Sequence, residues 1–180
     1  MKATGIVRRI DDLGRVVIPK EIRRTQRIRE GDPLEIFTTG NGEVIFKKYS
    51  PIGEMTEFAS IYADVLYKNL GRTALVCDRD TIIAAAGPAK KECADKRVSI
   101  PLEKIMDARR PFNHTGKAED CTFPCEGSVR HILMGCPIIA AGDVSGAVLL
   151  LCDEKGDTPT PEEEKAIHIA AGFLARQMEE

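Results

Sequence analysis

The chain has 180 residues, of which 43% are hydrophobic and 30% charged, and its formal net charge is −2 at pH 7. This length suits two small domains, and the hydrophobic content is normal for a globular chain. The N-terminus lacks the basic and apolar regions of a signal peptide. The most apolar stretch, residues 132–152, is interrupted by Pro137 and Gly142, which excludes a membrane span. We therefore expect a cytoplasmic protein.

The charge is divided unevenly along the chain. Residues 1–50 contain 11 Lys and Arg and 7 Asp and Glu, a net charge of +4. The remaining 130 residues contain 15 and 21, a net charge of −6. Such an asymmetry indicates an acidic partner for the front segment alone.

The front segment is predicted to form four short strands and one helix. Alternating apolar positions within 6–10 and 16–18 predict two strands on either side of a turn at Asp12-Leu13-Gly14. A helix of two turns is predicted to begin at Pro19. After a break at Gly31-Asp32-Pro33, a hairpin is predicted around Gly40-Asn41-Gly42, with strands over residues 34–38 and 44–48. A unit of this size buries only a marginal core, so a dimer that completes one barrel is physically reasonable.

Basic side chains follow one face of the predicted helix. Lys20, Arg23, Arg24 and Arg27 stand at i, i+3, i+4 and i+7, which places them on a single face. A row of phosphates would stabilise such a stripe through counterion release, although a solvated helix face is the alternative. Further cations stand on the neighbouring strands, at Arg8, Arg9 and Arg15.

The front segment resembles the AbrB-type transition-state regulators, which bind DNA. The resemblance covers roughly residues 1–50 and rests on the runs Gly5-Ile-Val-Arg-Arg, Leu13-Gly-Arg-Val-Val-Ile-Pro, Leu34-Glu-Ile-Phe and Phe46-Lys-Lys-Tyr. It implies a dimeric swapped-hairpin β-barrel that binds double-stranded promoter DNA. The DNA contacts that it implies are Arg8, Arg15, Arg23 and Arg24. We expect Arg9 and Lys20 to be phosphate contacts from their positions, whereas Arg27 departs from the family pattern.

The second part of the chain is predicted to be an α+β domain. Helices are predicted over residues 54–70, with Gly71 as the terminating residue, and over 161–178, with Thr160 and Glu163 as a capping box. The rest of the pattern consists of a hairpin over 73–77 and 81–86, a helix from Pro101 to about Arg110, and a core hairpin over 129–141 and 145–153.

This order of elements resembles a GAF sensor domain, most clearly in Cys136-Pro-Ile and Gly142-Asp-Val-Ser-Gly-Ala-Val-Leu. The resemblance implies an antiparallel sheet with flanking helices, and an intersubunit helix bundle. We therefore predict two domains, 1–52 and 53–180, and a homotetramer built as a dimer of dimers. GAF domains bind varied small molecules or none, so the effector and its binding residues stay open.

Five of the six cysteines are assigned by their surroundings in the sequence. Cys77, Cys136 and Cys152 lie in apolar strand patterns and are predicted to be buried thiols. Cys121 and Cys125 lie in a loop, with His114 and His131 on either side. A zinc cluster and a reactive redox pair are alternatives here, but ordinary loop cysteines are favoured, so we predict no metal site and no cofactor.

Three classes of function are compatible with these patterns. The favoured class is a DNA-binding transcriptional regulator, activator or repressor, with a C-terminal domain for sensing or oligomerisation. The whole chain also resembles a group of regulators from spore-forming bacteria, which implies control of sporulation genes on the nucleoid of the forespore. The alternatives are a cysteine-dependent methionine sulfoxide reductase of the GAF type and an antitoxin of the swapped-hairpin class. We predict that the protein is not an enzyme.

Overall fold

The structure, a computed structural model, describes residues 4–153 and 157–179. The chain divides into two compact units, Met1–Tyr49 and Ser50–Glu180. The boundary predicted after residue 52 lies inside a short helix, α2 (Pro51–Glu54). This helix belongs to the second unit because the Ser50 side chain accepts a hydrogen bond from the Gly53 amide and Ile52 is fully buried in that unit's core.

The N-terminal unit contains one helix and one hairpin. The helix α1 spans Lys20–Thr25. The strands β1 (Leu34–Thr38) and β2 (Val44–Lys48) pair antiparallel, with Leu34 opposite Lys48 and Thr38 opposite Val44. The turn between them uses Gly42 at a φ of 81°, a conformation that favours glycine. The predicted hairpin is therefore confirmed.

Two details of the front segment differ from the prediction. In this single chain, no strand is formed within the described residues 4–19, although both predicted strands lie there. A strand requires a hydrogen-bonding neighbour, and among the described residues of this chain no strand pairs with either segment. Arg27 is also not helical: it follows the Gln26 cap at a φ of 53°, so the predicted helical stripe of four cations loses its last member.

The C-terminal unit is built on a five-stranded antiparallel sheet with the order β4-β3-β7-β6-β5. Its strands are β3 (Ala74–Asp78), β4 (Ile82–Ala86), β5 (Phe112–Asn113), β6 (Ile132–Ala140) and β7 (Asp143–Leu151). The two central strands, β6 and β7, are buried along almost their whole length. In β7, a Cβ atom at Gly146 would lie 2.0 Å from the Cys77 carbonyl oxygen, so the β3–β7 pairing requires glycine there.

Helices cover both faces of this sheet. The helices α3 (Thr56–Leu70) and α6 (Pro161–Gln177) contribute to the core on one face. The helices α4 (Lys90–Cys93) and α5 (Ile100–Asp107) contribute to the core on the other. No helix among the described residues is long and apolar enough to cross a membrane.

The termini of the long helices follow their local sequence. Gly71 ends α3 in the left-handed conformation, and Thr160 and Glu163 form the predicted capping box at the start of α6. Along α3, Ala59, Ala63 and Leu66 are buried, whereas Phe58 and Val65 are exposed.

Short elements with little periodicity were not predicted. These are α4, β5 and a 3-10 turn at Ala118–Asp120. In addition, α5 ends at Asp107 rather than near Arg110. Elements of two to four residues carry almost no periodic signal, because they span about one helical turn or one strand repeat at most.

Candidate nucleic-acid interface

The six predicted DNA contacts all lie in the N-terminal unit. Arg8 and Arg9 stand on the irregular segment before the Asp11 turn, and Lys20, Arg23 and Arg24 lie on α1. Five of the six residues are exposed and Arg23 is half-buried. The unit therefore presents several cations to solvent on two neighbouring parts of its backbone.

Arg15 is oriented by Asp11 across the turn. The Arg15 amide donates to Asp11 Oδ1 at 2.7 Å, and Arg15 Nε donates to Asp11 Oδ2 at 2.8 Å. The Leu13 amide donates to the same Oδ1 at 3.1 Å, so the carboxylate also closes the turn. The hydrogen bonds from Arg15 lower the pKa of Asp11 below its ordinary value, and the bond from the Arg15 amide has a larger effect than the bond from its side chain. Asp11 therefore holds Arg15 while leaving most of its side chain exposed.

The short helix α1 begins with Lys20 and carries its two arginines in its last turn. Pro19 precedes the helix, Glu21 lies in the first turn, and Arg23 and Arg24 lie in the last turn. This distribution suits the helix dipole, which favours acidic residues at the start and basic residues at the end. The local sequence thus stabilises the helix that carries half of the predicted contacts.

An apolar concavity occupies the same unit. It has a volume of about 930 Å³, and its lining combines apolar side chains such as Ile6, Ile18 and Phe46 with the cations Arg8 and Lys48. Nearby apolar side chains are strongly exposed: Val7 is 85% exposed, Leu13 70% and Ile10 69%. Exposed aliphatic groups in a unit this small are typical of an interaction surface.

The loop residues considered for a metal site separate into two environments. Cys121 Sγ lies 3.8 Å from His114 Nε2, and the His114 and His131 rings are 4.6 Å apart. Cys125 is instead buried, with its Sγ 3.9 Å from the Glu92 carbonyl oxygen. Cys121 and Cys125 therefore do not share one site.

A third thiol takes the place of Cys125 in this cluster. Cys152 is buried, as the sequence predicts. Its Sγ atom and one ring nitrogen each from His114 and His131 all lie within 4.8 Å of one another. The pKa of His131 is lowered, mainly by burial and to a lesser extent by the neighbouring His114. Burial also raises the pKa of the Cys152 thiol to about 12. The sequence assigned Cys152 to the core and so did not connect it with the two histidines.

Together, the basic AbrB-like unit and the GAF-like unit define a two-domain transcriptional regulator. Two family profiles match the chain. Residues 54–179 match the family described as "Stage V sporulation protein T C-terminal, transcription factor", and residues 7–53 match "Antidote-toxin recognition MazE, bacterial antitoxin".

The relatives give the same division. The chain is 54% identical to stage V sporulation protein T of Bacillus subtilis (strain 168) over 181 residues, which cover 100% of both chains. The chain belongs to the stage V sporulation protein T family. Its front part is 59% identical to the transition state regulatory protein AbrB of the same bacterium, over 51 residues that cover 28% of this chain and 52% of AbrB.

A solved structure gives the fold of the second unit. The GAF domain of a phosphoenolpyruvate-protein phosphotransferase from Coxiella burnetii superposes with a TM-score of 0.53 at 17% identity, covering 69% of this chain and 82% of that chain. At this identity the similarity concerns the fold alone. The predicted GAF-like architecture is confirmed.

Proposed function

We propose that this protein is a duplex-DNA-binding regulator of sporulation genes, acting in the cytoplasm of the forespore. The observation that carries the proposal is the placement of Arg8, Arg9, Arg15, Lys20, Arg23 and Arg24 on one small basic unit whose sequence matches AbrB. Such cations bind phosphates without regard to sequence, while arginines that reach base edges add specificity.

The surroundings of these cations favour duplex over single-stranded DNA. No aromatic side chain stands between the basic residues from Arg8 to Arg24. Stacking on unpaired bases, the usual means of holding single strands, therefore has no platform in this segment. Phosphate contacts, together with a few arginine contacts to bases and the deformability of the duplex, fit the unit better.

Dimerisation of the front unit completes the binding module. A second copy would fill the 930 Å³ concavity and cover the exposed Val7, Ile10 and Leu13 side chains. Removal of such apolar surface from water contributes about 25 cal/mol per Å², which offsets the entropy lost on association. It would also provide strand partners for the two segments that lack them in a single chain.

The second unit offers another surface for association. Phe58, Ile61 and Val65 on α3 are exposed, as are Ile169 and Phe173 on α6. The rings of Tyr62 and Phe173 are 5.3 Å apart, which joins the two helices at this surface. Pairing of the surface with its copy, combined with the front dimer, gives a dimer of dimers with two DNA-binding modules. A small molecule bound by the GAF-like unit would act by changing the spacing of these modules.

Two other functions fit the observations less well. An antitoxin uses the swapped-hairpin domain with a flexible tail, whereas residues 50–180 form a packed unit here. A sulfoxide reductase of the kind considered would use Cys121 with Cys125, but the two thiols have different neighbours. The family is described as one of transcription factors, so we propose that the protein catalyses no reaction.

The test is binding of the full-length protein to duplex fragments that it selects from genomic DNA. We compare Arg23→Ala/Arg24→Ala with Lys90→Ala/Lys91→Ala, which removes two adjacent exposed cations from a short helix of the second unit. The first variant is expected to lose about 1–3 kcal/mol of binding free energy for each arginine that reads a base. For each arginine that contacts only phosphate, the salt dependence should decrease by about one unit. Equal binding by the two variants would reject this surface as the DNA site.

A further inference from the structure

The cluster of His114, His131 and Cys152 lies at one end of the C-terminal sheet, next to the ends of three neighbouring strands. His114 follows β5, His131 precedes β6, and Cys152 follows β7. Backbone hydrogen bonds extend the strands to these residues: the His114 amide donates to the Leu133 carbonyl at 2.8 Å, and the Cys152 amide donates to the His131 carbonyl at 2.9 Å. The sheet therefore brings together three side chains that are far apart in the sequence.

The side chains of the cluster offer soft and borderline metal ligands. His114 and Cys152 are each 2% exposed and His131 is 9% exposed. Among the described residues, His131 Nε2 is a buried nitrogen without a hydrogen-bond partner. A buried polar atom of this kind usually has a partner, so its presence in the cluster points to a ligand. The exposed Cys121 provides a fourth donor, 3.8 Å from His114 Nε2.

The hydrogen bonds of His114 also suit a metal ligand. Its Nδ1 lies 3.0 Å from the Asp157 carbonyl oxygen and 3.0 Å from the Gly116 amide. Only one of these contacts is a hydrogen bond at a time, because the carbonyl needs a protonated Nδ1 and the amide needs a bare one. The tautomer that donates to Asp157 leaves the lone pair of Nε2 directed towards Cys121. A backbone carbonyl that fixes the far nitrogen of a histidine is typical of metal sites.

We propose that His114, His131, Cys152 and Cys121 form a structural zinc site. Two imidazoles and two thiolates are a common tetrahedral set for Zn²⁺. Bond lengths of about 2.0–2.3 Å place the ligand atoms of such a site about 3.3–3.8 Å apart. The Cys121–His114 distance already lies in this range, and the separations of up to 4.8 Å among His114, His131 and Cys152 require a contraction of about 1 Å. Cys121 lies outside that group of three, so its loop would also have to move towards His131 and Cys152.

Zinc would connect the loop that carries Cys121 to the ends of β5, β6 and β7. All four ligands would then come from the GAF-like unit of a single chain. The site replaces the expectation of no metal that the sequence supported, because that expectation considered Cys121 with Cys125 and not with Cys152.

The experiment is zinc binding by the full-length protein, purified under reducing conditions, stripped with a chelator and dialysed against Zn²⁺. We expect about one ion per chain by elemental analysis and a higher melting temperature with zinc than without. Substitution of Co²⁺ should give the intense tetrahedral d–d bands and the sulfur-to-metal charge transfer of a mixed nitrogen and sulfur site.

Two variants and one control test the assignment. His131→Gln should weaken zinc binding at least about tenfold. Cys121→Ser, at an exposed position that cannot unfold the core, should weaken it and reduce the charge-transfer intensity of the Co²⁺ form. The control is His168→Gln, since His168 Nδ1 also lies near a thiol, 3.4 Å from Cys136 Sγ, but outside the cluster. Wild-type protein that retains no zinc, or retention by both test variants equal to that of the control, would overturn the proposal.

Discussion

Arg72 Nε donates a hydrogen bond to Glu163 Oε1 at 2.9 Å, which joins the end of α3 to the first turn of α6. Arg72 also contacts Asp157 at 2.7 Å and Asp153 at 3.3 Å through Nη1. Its side chain is only 20% exposed and that of Glu163 only 8%. Although burial opposes the charge, the hydrogen bonds to Glu163 and Asp157 raise the pKa of the guanidinium.

We expect Arg72→Ala to lower the free energy of unfolding by about 2–4 kcal/mol, because it removes the cation that pairs with the buried Glu163 carboxylate. Urea unfolding followed by circular dichroism measures this loss. The control is Arg176→Ala, whose partner Glu179 is 3.7 Å away and whose side chain is 74% exposed. That variant should lose less than about 0.5 kcal/mol, and equal losses in the two variants would contradict the argument.

Arg15→Lys separates the charge of Arg15 from its orientation. Lysine keeps the positive charge but lacks the planar guanidinium group. In Arg15, this group contacts Asp11 through Nε and leaves its other N–H donors available to DNA. Affinity for selected duplex fragments should decrease, by about 1–3 kcal/mol where Arg15 reads a base, with little change in salt dependence. A titration of binding against salt concentration distinguishes the two effects. Unchanged affinity would make Arg15 a phosphate contact only.

The exposed apolar surface on α3 and α6 should hold the tetramer together. Ile61→Lys with Ile169→Lys places two charges on this surface and should convert the tetramer to a dimer, because burial of an unpaired charge is strongly unfavourable. Light scattering of the full-length protein at micromolar concentration measures the change. Ser60→Lys adds a charge at an exposed position on the opposite side of α3 and should leave the tetramer intact. A wild-type protein that is already dimeric would remove this interface.

The front unit should dimerise independently of that surface. A fragment of residues 1–52 is expected to remain dimeric and to bind DNA more weakly than the full chain, since the proposed tetramer would link two modules. A monomeric fragment would show that the apolar concavity is not closed by a second copy.

Alkylation should distinguish the cysteines. Burial raises the pKa of Cys77 and Cys93 to about 12 and that of Cys136 to about 11. At pH 8 such thiols are ionised to about one part in a thousand or less, and reactivity depends on the thiolate. In the presence of a chelator, we expect iodoacetamide to modify the exposed Cys121 far faster than these three cysteines.

Peptide mass spectrometry measures the extent of modification at each position. Protein unfolded in guanidinium is the control, and all six cysteines should react there. Rapid modification of Cys77 in the folded protein would contradict its burial. Zinc added before the reagent should protect Cys121 if the proposed site forms.

The sequence predicted the elements that depend on local chemistry. The capping box of Thr160 and Glu163, the left-handed Gly71 and the hairpin turn with Gly42 are each determined within a few residues, and all three are present. The exposed cations of the front unit were equally visible, because their spacing and charge need no tertiary information. Which of these cations contact DNA stays a prediction.

Other features were decided only by the tertiary structure. Residues 6–10 and 16–18 have strand patterns but form no strand among the described residues of one chain, because strand hydrogen bonds need a neighbour. Arg27 fits the helical stripe by spacing, yet the helix ends before it. Cys152 has the apolar neighbours of a core thiol in the sequence, but sheet pairing places it beside His131. Periodicity in the sequence indicates which face of an element a residue occupies. The register of the sheet determines which distant side chains lie next to it. The cluster of histidines and cysteine is therefore evident only in the folded chain.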